Sequence, residues 1–209
     1  DLDADQTKGD LEEATGGAEN TAQESGAAGY GAIAHYGDPS GEQWALEDGR
    51  ALVDRPDLAI VEVGGPDRLT WLTSISSQVL TGIEAGESRE LLILDPQGHI
   101  EYAAGAIDDG EALYLVTERR SAQGLADWLN SMRFALRVEV TLSHGWWILG
   151  SVGNSGVSDY EQVEMTWNDP WPGVVDGGAE YFRGSHPGKN VSFHIHLIPK
   201  KRAREFWQA

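Results

Sequence analysis

Residues 90–117 read ELLILDPQGHIEYAAGAIDDGEALYLVT, and this stretch decides the fold. Two clusters of turn-forming residues, DPQG at 95–98 and DDG at 108–110, divide it into three largely apolar segments. Apolar runs bounded by such turn residues predict strands joined by hairpins. We therefore predict strands over 90–94, 99–107 and 112–117, which form a meander of three antiparallel strands.

The flanking sequence predicts helices as well as further strands. Residues 121–132 place Leu125, Trp128, Leu129 and Met132 at spacings of three and four, which predicts an amphipathic helix. Other elements follow from start, stop and turn signals. They are a short helix capped by Ser40, a strand over 59–63, a helix opened by Pro66, strands over 138–140, 146–149 and 191–198, and a basic helix over 200–208. The fold class is therefore α+β, with a mixed or antiparallel sheet flanked by helices.

Length, charge and cysteine content exclude several classes of protein. With 209 residues, 40% of them apolar, the chain fits one large domain or two small ones. The net charge of −19 argues against binding to nucleic acid, and no apolar run approaches the roughly 18 residues of a membrane span. The absence of cysteine excludes disulfides, thiolate metal sites and cysteine nucleophiles, and it fits a reducing compartment. We expect a soluble, cytoplasmic protein, and the oligomeric state stays open.

Composition also suggests how the chain is divided. Residues 1–28 hold eight acidic residues, one lysine and no aromatic residue, a net charge of −7, which predicts a disordered acidic tail. Beyond Gly150 the chain becomes rich in Gly, Asn, Ser and Pro. We therefore predict a tail over 1–30, a first domain over 31–148 and part of a second domain over 149–209.

General motifs assign no activity. The chain has no Walker loop, dinucleotide fingerprint or nucleophile elbow, and the glycines before Pro66 indicate a helix start rather than a phosphate cradle. His194 and His196 share a strand face that a metal could use, but we favour the polar outer face of an edge strand and assign no metal ligand. A planar ligand could stack on the aromatic residues of the Gly- and Pro-rich segment, although packing under a loop is favoured. These aromatic residues are Trp167, Trp171, Tyr181 and Phe182.

The order of these elements resembles a known family. Residues 61–72 (VEVGGPDRLTWL), 75–79 (ISSQV), 84–87 (EAGE) and 92–100 (LILDPQGHI) follow one another as in the folate-binding superfamily. That superfamily contains the aminomethyltransferase (T-protein) of the glycine cleavage system and its YgfZ-like relatives. The resemblance implies a T-protein-like first domain followed by the start of a second α+β domain.

Two departures from the T-protein pattern favour the YgfZ-like branch. Glu101 and Tyr102 stand where the T-protein has its essential aspartate, and the segment 181–188 lacks the family's acidic pair. The resemblance then implies a folate-binding protein associated with the assembly or repair of iron–sulfur enzymes, with such enzymes as partners and no catalytic residue of its own. A tetrahydrofolate-dependent aminomethyltransferase and an interaction module without ligand are the alternatives.

The resemblance also implies a set of ligand-binding residues. Tetrahydrofolate needs a flat slot for its pterin and a carboxylate for the amidine edge of that ring. Glu101 is the expected carboxylate, Tyr102 or Tyr181 would stack, and Ser77 and Gln78 would donate or accept hydrogen bonds. Because side chains alternate along a strand, one of Glu101 and Tyr102 would face the ligand. The simpler alternatives are that Glu101 faces solvent and that Ser77 and Gln78 are helix-end groups.

Overall fold

The computed structural model describes residues 33–170, 178–179, 184, 188 and 191–209. The predicted acidic tail lies outside the described residues, as do Trp171, Tyr181 and Phe182. Four α-helices and nine strands make up the described part of the chain, together with two short 3₁₀ turns, Val157–Asp159 and Lys200–Arg202. In chain order they are α1 (Pro39–Glu47), β1 (Leu52–Asp54), β2 (Leu58–Gly64), α2 (Arg68–Ile75), β3 (Ser88–Leu94), β4 (Ile100–Asp108), β5 (Ala112–Glu118), α3 (Arg119–Met132), β6 (Glu139–Ser143), β7 (Trp146–Val152), β8 (Met165–Asn168), β9 (Phe193–Pro199) and α4 (Ala203–Gln208).

The predicted meander is confirmed as the larger part of a five-stranded sheet. The strand order is β3-β4-β5-β2-β6, and every pair in the sheet is antiparallel. Strand β2 lies between β5 and β6, and five of its seven residues are buried because both faces of the sheet are covered here. This position explains the apolar run that predicted a strand over 59–63.

One face of this sheet packs against two helices. Leu125 and Leu129 of α3 are fully buried against the sheet, as the three-and-four spacing predicted, while Trp128 and Met132 are partly buried beside them. Helix α2 adds Trp71 to the same core. An apolar helix stripe stabilises a fold by removing this area from water, at about 25 cal/mol per Å². The helices and the sheet therefore share one continuous core.

The opposite face packs against a second, four-stranded antiparallel sheet. Its order is β1-β7-β9-β8, so the short strand β1 joins strands that lie about a hundred residues later in the chain. Ile195 and Leu197 of β9 point into the core between the sheets, where they meet Ile60 and Ile107. The fold is therefore α+β with two stacked antiparallel sheets, and the predicted domain division at residue 148 stays a prediction.

Several predicted details are wrong in instructive ways. The first helix is capped by Asp38, whose Oδ1 accepts a hydrogen bond from the Gly41 backbone N–H at 3.0 Å, and not by Ser40. Pro66 precedes α2 in a turn, and the helix begins at Arg68. Strand β9 is not an edge strand, because β7 and β8 pair with its two sides.

No described helix is both long enough and apolar enough to cross a bilayer.

The glycine pair before Pro66 has a packing role. Gly65 has a φ of 100°, and a Cβ there would lie 2.2 Å from the carbonyl oxygen of Arg137. Such an approach is available to glycine alone.

Candidate ligand-binding site

Strand β4 carries the predicted ligand carboxylate at a break in its pairing with β3. Ile93 lies opposite Tyr102, whereas Leu94 lies opposite Ile100, so Glu101 is an extra residue in β4. Such a bulge bends a strand and re-aims a side chain, and bulges are frequent beside functional sites. Glu101 is exposed, and no described residue forms a hydrogen bond or ion pair with its carboxylate. The bulge also removes Glu101 from the simple alternation that the sequence-based argument assumed.

Tyr102 lies on the helix side of the sheet. A Cβ on Gly124 of α3 would be 3.1 Å from the Tyr102 hydroxyl, and the Tyr102 and Trp128 rings are 6.4 Å apart at 49°. The ring is partly buried against the core of sheet and helices. The structure therefore separates the two adjacent candidates, because Glu101 is exposed while Tyr102 is packed beneath α3.

An exposed apolar strip runs along β3 and β4 beside Glu101. Leu92 lies opposite Ala103, and Leu94 lies opposite Ile100, on the face away from the helices. Leu94 is 45% exposed and Ile100 is 60% exposed. We call these four residues the open strip. Apolar side chains paired in this way form a flat surface of the kind that a ring can cover.

Trp167 marks where the open strip ends and the contact between the sheets begins. A Cβ on Gly105 would lie 2.8 Å from the indole of Trp167, so the ring covers β4 at this glycine. The indole Nε1 donates a hydrogen bond to the Arg89 carbonyl oxygen at 2.8 Å. Trp167 is buried, which agrees with the favoured expectation of packing and not with stacking on a ligand.

Ser77 and Gln78 hold a further segment of chain against the edge of β3. The Ser77 backbone N–H donates to the Leu92 carbonyl, and the Leu92 N–H donates to Ser77 Oγ, both at 2.9 Å. On its other side, the Ser77 carbonyl accepts a hydrogen bond from Ala179 N–H at 2.9 Å. Gln78 is buried, and its Nε2 donates to the Ala179 carbonyl at 3.0 Å. These two predicted ligand residues therefore position the chain at residue 179 next to the open strip.

The predicted site is thus brought together in part. With strands about 4.8 Å apart, Ser77 lies one strand spacing beyond Leu92 and about two spacings from Ala103. Glu101, Ser77 and Gln78 consequently share one end of the five-stranded sheet, whereas Tyr102 lies under α3. Tyr181 lies outside the described residues.

At the hairpin tip beyond the strip, a second acidic side chain is already engaged. Nδ1 of His99 and Oδ2 of Asp95 are 2.8 Å apart, and this hydrogen bond lowers the pKa of Asp95. Asp95 Oδ1 also accepts from the Gln97 and His99 backbone N–H groups. Asp95 therefore shapes the turn, and Glu101 is the neighbouring carboxylate left free.

Sequence reasoning missed a buried ion pair at the other end of β4. Arg68 Nε and Nη2 reach the two oxygens of Asp108 at 2.8 Å each, and Nη2 also donates to the Gly110 carbonyl at 2.9 Å. Both residues are buried. No signal in a single sequence connects side chains 40 positions apart, because charge alone does not reveal burial. This pair joins the first turn of α2 to the turn after β4.

It also missed the environment of His196. This residue is 2% exposed, and its ring nitrogens lie 2.8 Å from Ser151 Oγ and 2.9 Å from Thr166 Oγ1. Burial is the main reason that the pKa of His196 falls to about 4. His196 is therefore buried on the outer face of its sheet and bonds to both neighbouring strands, so the expectation of a solvent-facing position on an edge strand is wrong for this residue. No group of three or more potential metal ligands occurs among the described residues.

Comparisons with known proteins identify the fold and do not identify an activity. No family model and no curated protein matches the sequence. The structure resembles the crystal structure of glycine cleavage system aminomethyltransferase T from Bartonella henselae, with a TM-score of 0.67 and 15% sequence identity. The match covers 97% of this chain and 55% of the other, so this chain spans about half the length of that enzyme. The chain therefore has a T-protein-like fold.

Proposed function

We propose that this chain is a cytoplasmic folate-binding protein of the YgfZ-like type, which holds tetrahydrofolate at the open strip. The observation that carries the proposal is the free carboxylate of Glu101 at the end of an exposed apolar surface, within a T-protein-like fold. Neither feature alone specifies a folate. Together they supply an apolar surface for a flat ring and an acid for its edge.

The open strip supplies the surface for the pterin. Ala103 projects little, and Trp167 ends the strip at Gly105, so a ring bound here lies between the indole and the hairpin tip. Leaving Leu94 and Ile100 exposed to water costs free energy that a bound ring would recover, at about 25 cal/mol per Å² covered. A planar aromatic ligand matches this surface better than a flexible polar one does.

Glu101 supplies the polar contact. The pterin edge presents two adjacent N–H donors, and a carboxylate accepts both in a bidentate, charge-assisted arrangement. Since no described residue pairs with Glu101, its carboxylate can meet the ligand without first breaking a contact within the protein. The residues present therefore fit the folate head group.

Ser77 and Gln78 act in this proposal through the chain that they hold. Their hydrogen bonds hold Ala179, which precedes Tyr181 by two positions in the sequence, beside β3. Tyr181 is then the proposed stacking residue, because the Tyr102 ring packs against α3. This assigns Ser77 and Gln78 to positioning the segment and Glu101 to direct contact.

The proposed cellular role is support for the assembly or repair of iron–sulfur enzymes, with those enzymes as partners. It rests on Glu101 in place of the aspartate that the T-protein pattern requires. Glutamate is one methylene longer, and a displacement of about 1 Å in a reacting group can cost roughly a hundredfold in rate. We therefore propose folate binding without aminomethyl transfer.

Isothermal titration calorimetry with tetrahydrofolate tests the proposal. We expect saturable binding by the wild-type chain and a loss of about tenfold to a hundredfold in Glu101→Gln, the usual effect of removing a charge-assisted hydrogen bond. Glu111→Gln is the matched control, because Glu111 is an exposed glutamate in the turn between β4 and β5. Equal affinities in all three proteins would exclude Glu101 as the contact.

Two further measurements separate the alternatives. An assay of folate-dependent amine release should give no turnover, and turnover that disappears in Glu101→Ala would establish an aminomethyltransferase instead. No heat of binding with any reduced folate would favour the interaction module. In cells that lack the protein, the activity of iron–sulfur enzymes should fall, and wild-type protein should restore it better than Glu101→Gln does.

A further inference from the structure

A cavity lies on the face of the four-stranded sheet that points away from the inter-sheet core. Ile195 and Leu197 point into that core, so His194 and His196, which alternate with them along β9, point to the outer face of the four-stranded sheet. There the loop after β7 and the start of β9 line this cavity, which has a volume of about 230 Å³ and is open to the surface. This volume is below the roughly 300–1,000 Å³ of pockets for drug-sized ligands, so it suits a small group.

Several groups on the cavity wall can donate a hydrogen bond and have no partner among the described residues. The hydroxyls of Ser155, Ser158 and Ser192 face no hydrogen-bond partner among the described residues. The backbone N–H groups of Asn154 and Ser155 likewise have no acceptor in the described part of the chain. The Ser192 carbonyl is already used, because it accepts from Gly153 N–H at 2.8 Å. The cavity wall therefore presents three hydroxyls and two backbone N–H groups that can donate hydrogen bonds to a ligand.

The two histidines give the wall a fixed shape. His196 is held from both sides by Ser151 and Thr166, so this part of the wall is rigid. His194 Nδ1 lies 2.7 Å from Asn168 Oδ1, so that nitrogen carries the proton and donates. The remaining nitrogen, Nε2, has no partner among the described residues. As an acceptor, this nitrogen suits the hydroxyl of a monohydrogen phosphate.

The geometry points to a binding site for a phosphate group, on the loop after β7 and the start of β9. A phosphate has several acceptor oxygens in a tetrahedral arrangement, which suits donors that converge from two chain segments. No Asp or Glu is among the residues that line the cavity. This site is separate from the open strip and does not depend on folate binding.

The test is an NMR titration of ¹⁵N-labelled protein with inorganic phosphate, at constant ionic strength and without folate. We expect saturable shifts confined to residues 153–158, 192 and 194, and weaker shifts with acetate. Ser192→Ala and His194→Phe should each weaken phosphate binding roughly tenfold, as loss of one charge-assisted hydrogen bond does. Ser143→Ala, at the end of β6, is the control and should bind as the wild type does.

Three results would overturn the site. They are phosphate shifts that do not saturate or that spread over the surface, acetate binding as tight as phosphate binding, and unchanged affinity in both variants. Ser155→Ala guards against misfolding, because this loop residue lies outside the strands and its loss leaves the sheet intact. If Ser155→Ala keeps the wild-type spectrum and the wild-type affinity, the loop does not bind phosphate.

Discussion

Strand β4 carries two carboxylates in opposite environments, Asp108 near one end and Glu101 near the other. Asp108 is 2% exposed and accepts two hydrogen bonds from Arg68. Glu101 is exposed at a bulge and has no bonded partner among the described residues. The two acids lie seven positions apart on one strand, yet the fold uses the first and leaves the second free.

The difference shows which polar groups stabilise the fold and which are available to a ligand. A buried carboxylate must be paired, because an uncompensated charge in the interior costs several kcal/mol. An exposed carboxylate beside the open strip contributes little to folding. We call the end of β4 that carries Asp108 the closed end and the end that carries Glu101 the open end. Substitutions at the closed end should therefore alter stability, whereas substitutions at the open end should alter ligand binding.

Breaking the ion pair at the closed end should have the largest effect. Arg68→Leu leaves Asp108 buried without its partner, and we expect a loss of about 3–5 kcal/mol in the free energy of unfolding. Urea unfolding measures it. Arg137→Leu, which breaks the exposed pair with Asp67, is the control and should cost much less. Equal losses would show that burial does not distinguish the two pairs.

The buried His196 extends the contrast to the second sheet and makes stability depend on pH. Its folded pKa of about 4 lies below the ordinary value of 6.5, so between these values the unfolded chain binds a proton that the folded chain does not. This group's contribution is therefore complete above about pH 7 and is lost as the pH falls toward 4, a change of about 3 kcal/mol. Unfolding of the wild type and of His196→Asn, followed from pH 7.5 to 4.5, should show a smaller decrease in the variant. Parallel curves would contradict the assignment.

Filling the space beneath Trp167 should lower the free energy of unfolding by an intermediate amount. Gly105→Ala would place a Cβ 2.8 Å from the indole, and overpacking of this kind costs about 1–2 kcal/mol. Gly64→Ala is the matched control, since a Cβ on this strand glycine would meet nothing within 4 Å. Thermal unfolding should separate the two variants. If Gly105→Ala is as stable as Gly64→Ala, Trp167 does not close the strip.

The smallest effect on stability is expected at the open end. Glu101→Gln removes a charge that no described residue uses, so the free energy of unfolding should change by no more than about 0.5 kcal/mol. Chemical denaturation alongside Arg68→Leu measures this. A loss of several kcal/mol would mean that Glu101 has a structural partner and is not free for a ligand.

Local patterns in the sequence predicted most of the elements. The strand expected over 112–117 is Ala112–Glu118, and the helix expected over 121–132 is Arg119–Met132. Both have strong periodic patterns that tertiary packing then uses. The position of β9 could not be predicted, because its neighbours β7 and β8 come from other parts of the chain and strand order is not a local property. Burial of His196 follows from that strand order.

The candidate site could be predicted only in part. The family resemblance predicts Glu101 as the ligand carboxylate, which stays a prediction, and alternation alone could not say which of Glu101 and Tyr102 is exposed. The choice depends on a one-residue bulge and on α3, where Gly124 makes room for the Tyr102 ring. The contacts of Ser77 and Gln78 with Ala179 join residues about a hundred positions apart, a separation that a single sequence does not report.

An NMR titration with tetrahydrofolate, followed on backbone amides and leucine and isoleucine methyls, tests the central claim most directly. If the open end of the five-stranded sheet holds the ligand, the shifts should saturate and centre on Leu92, Leu94, Ile100, Glu101 and Ala103. The amides of Asp108 and Gly110, at the closed end, should not move. Saturable shifts centred on the closed end, or none at the open strip, would contradict the account.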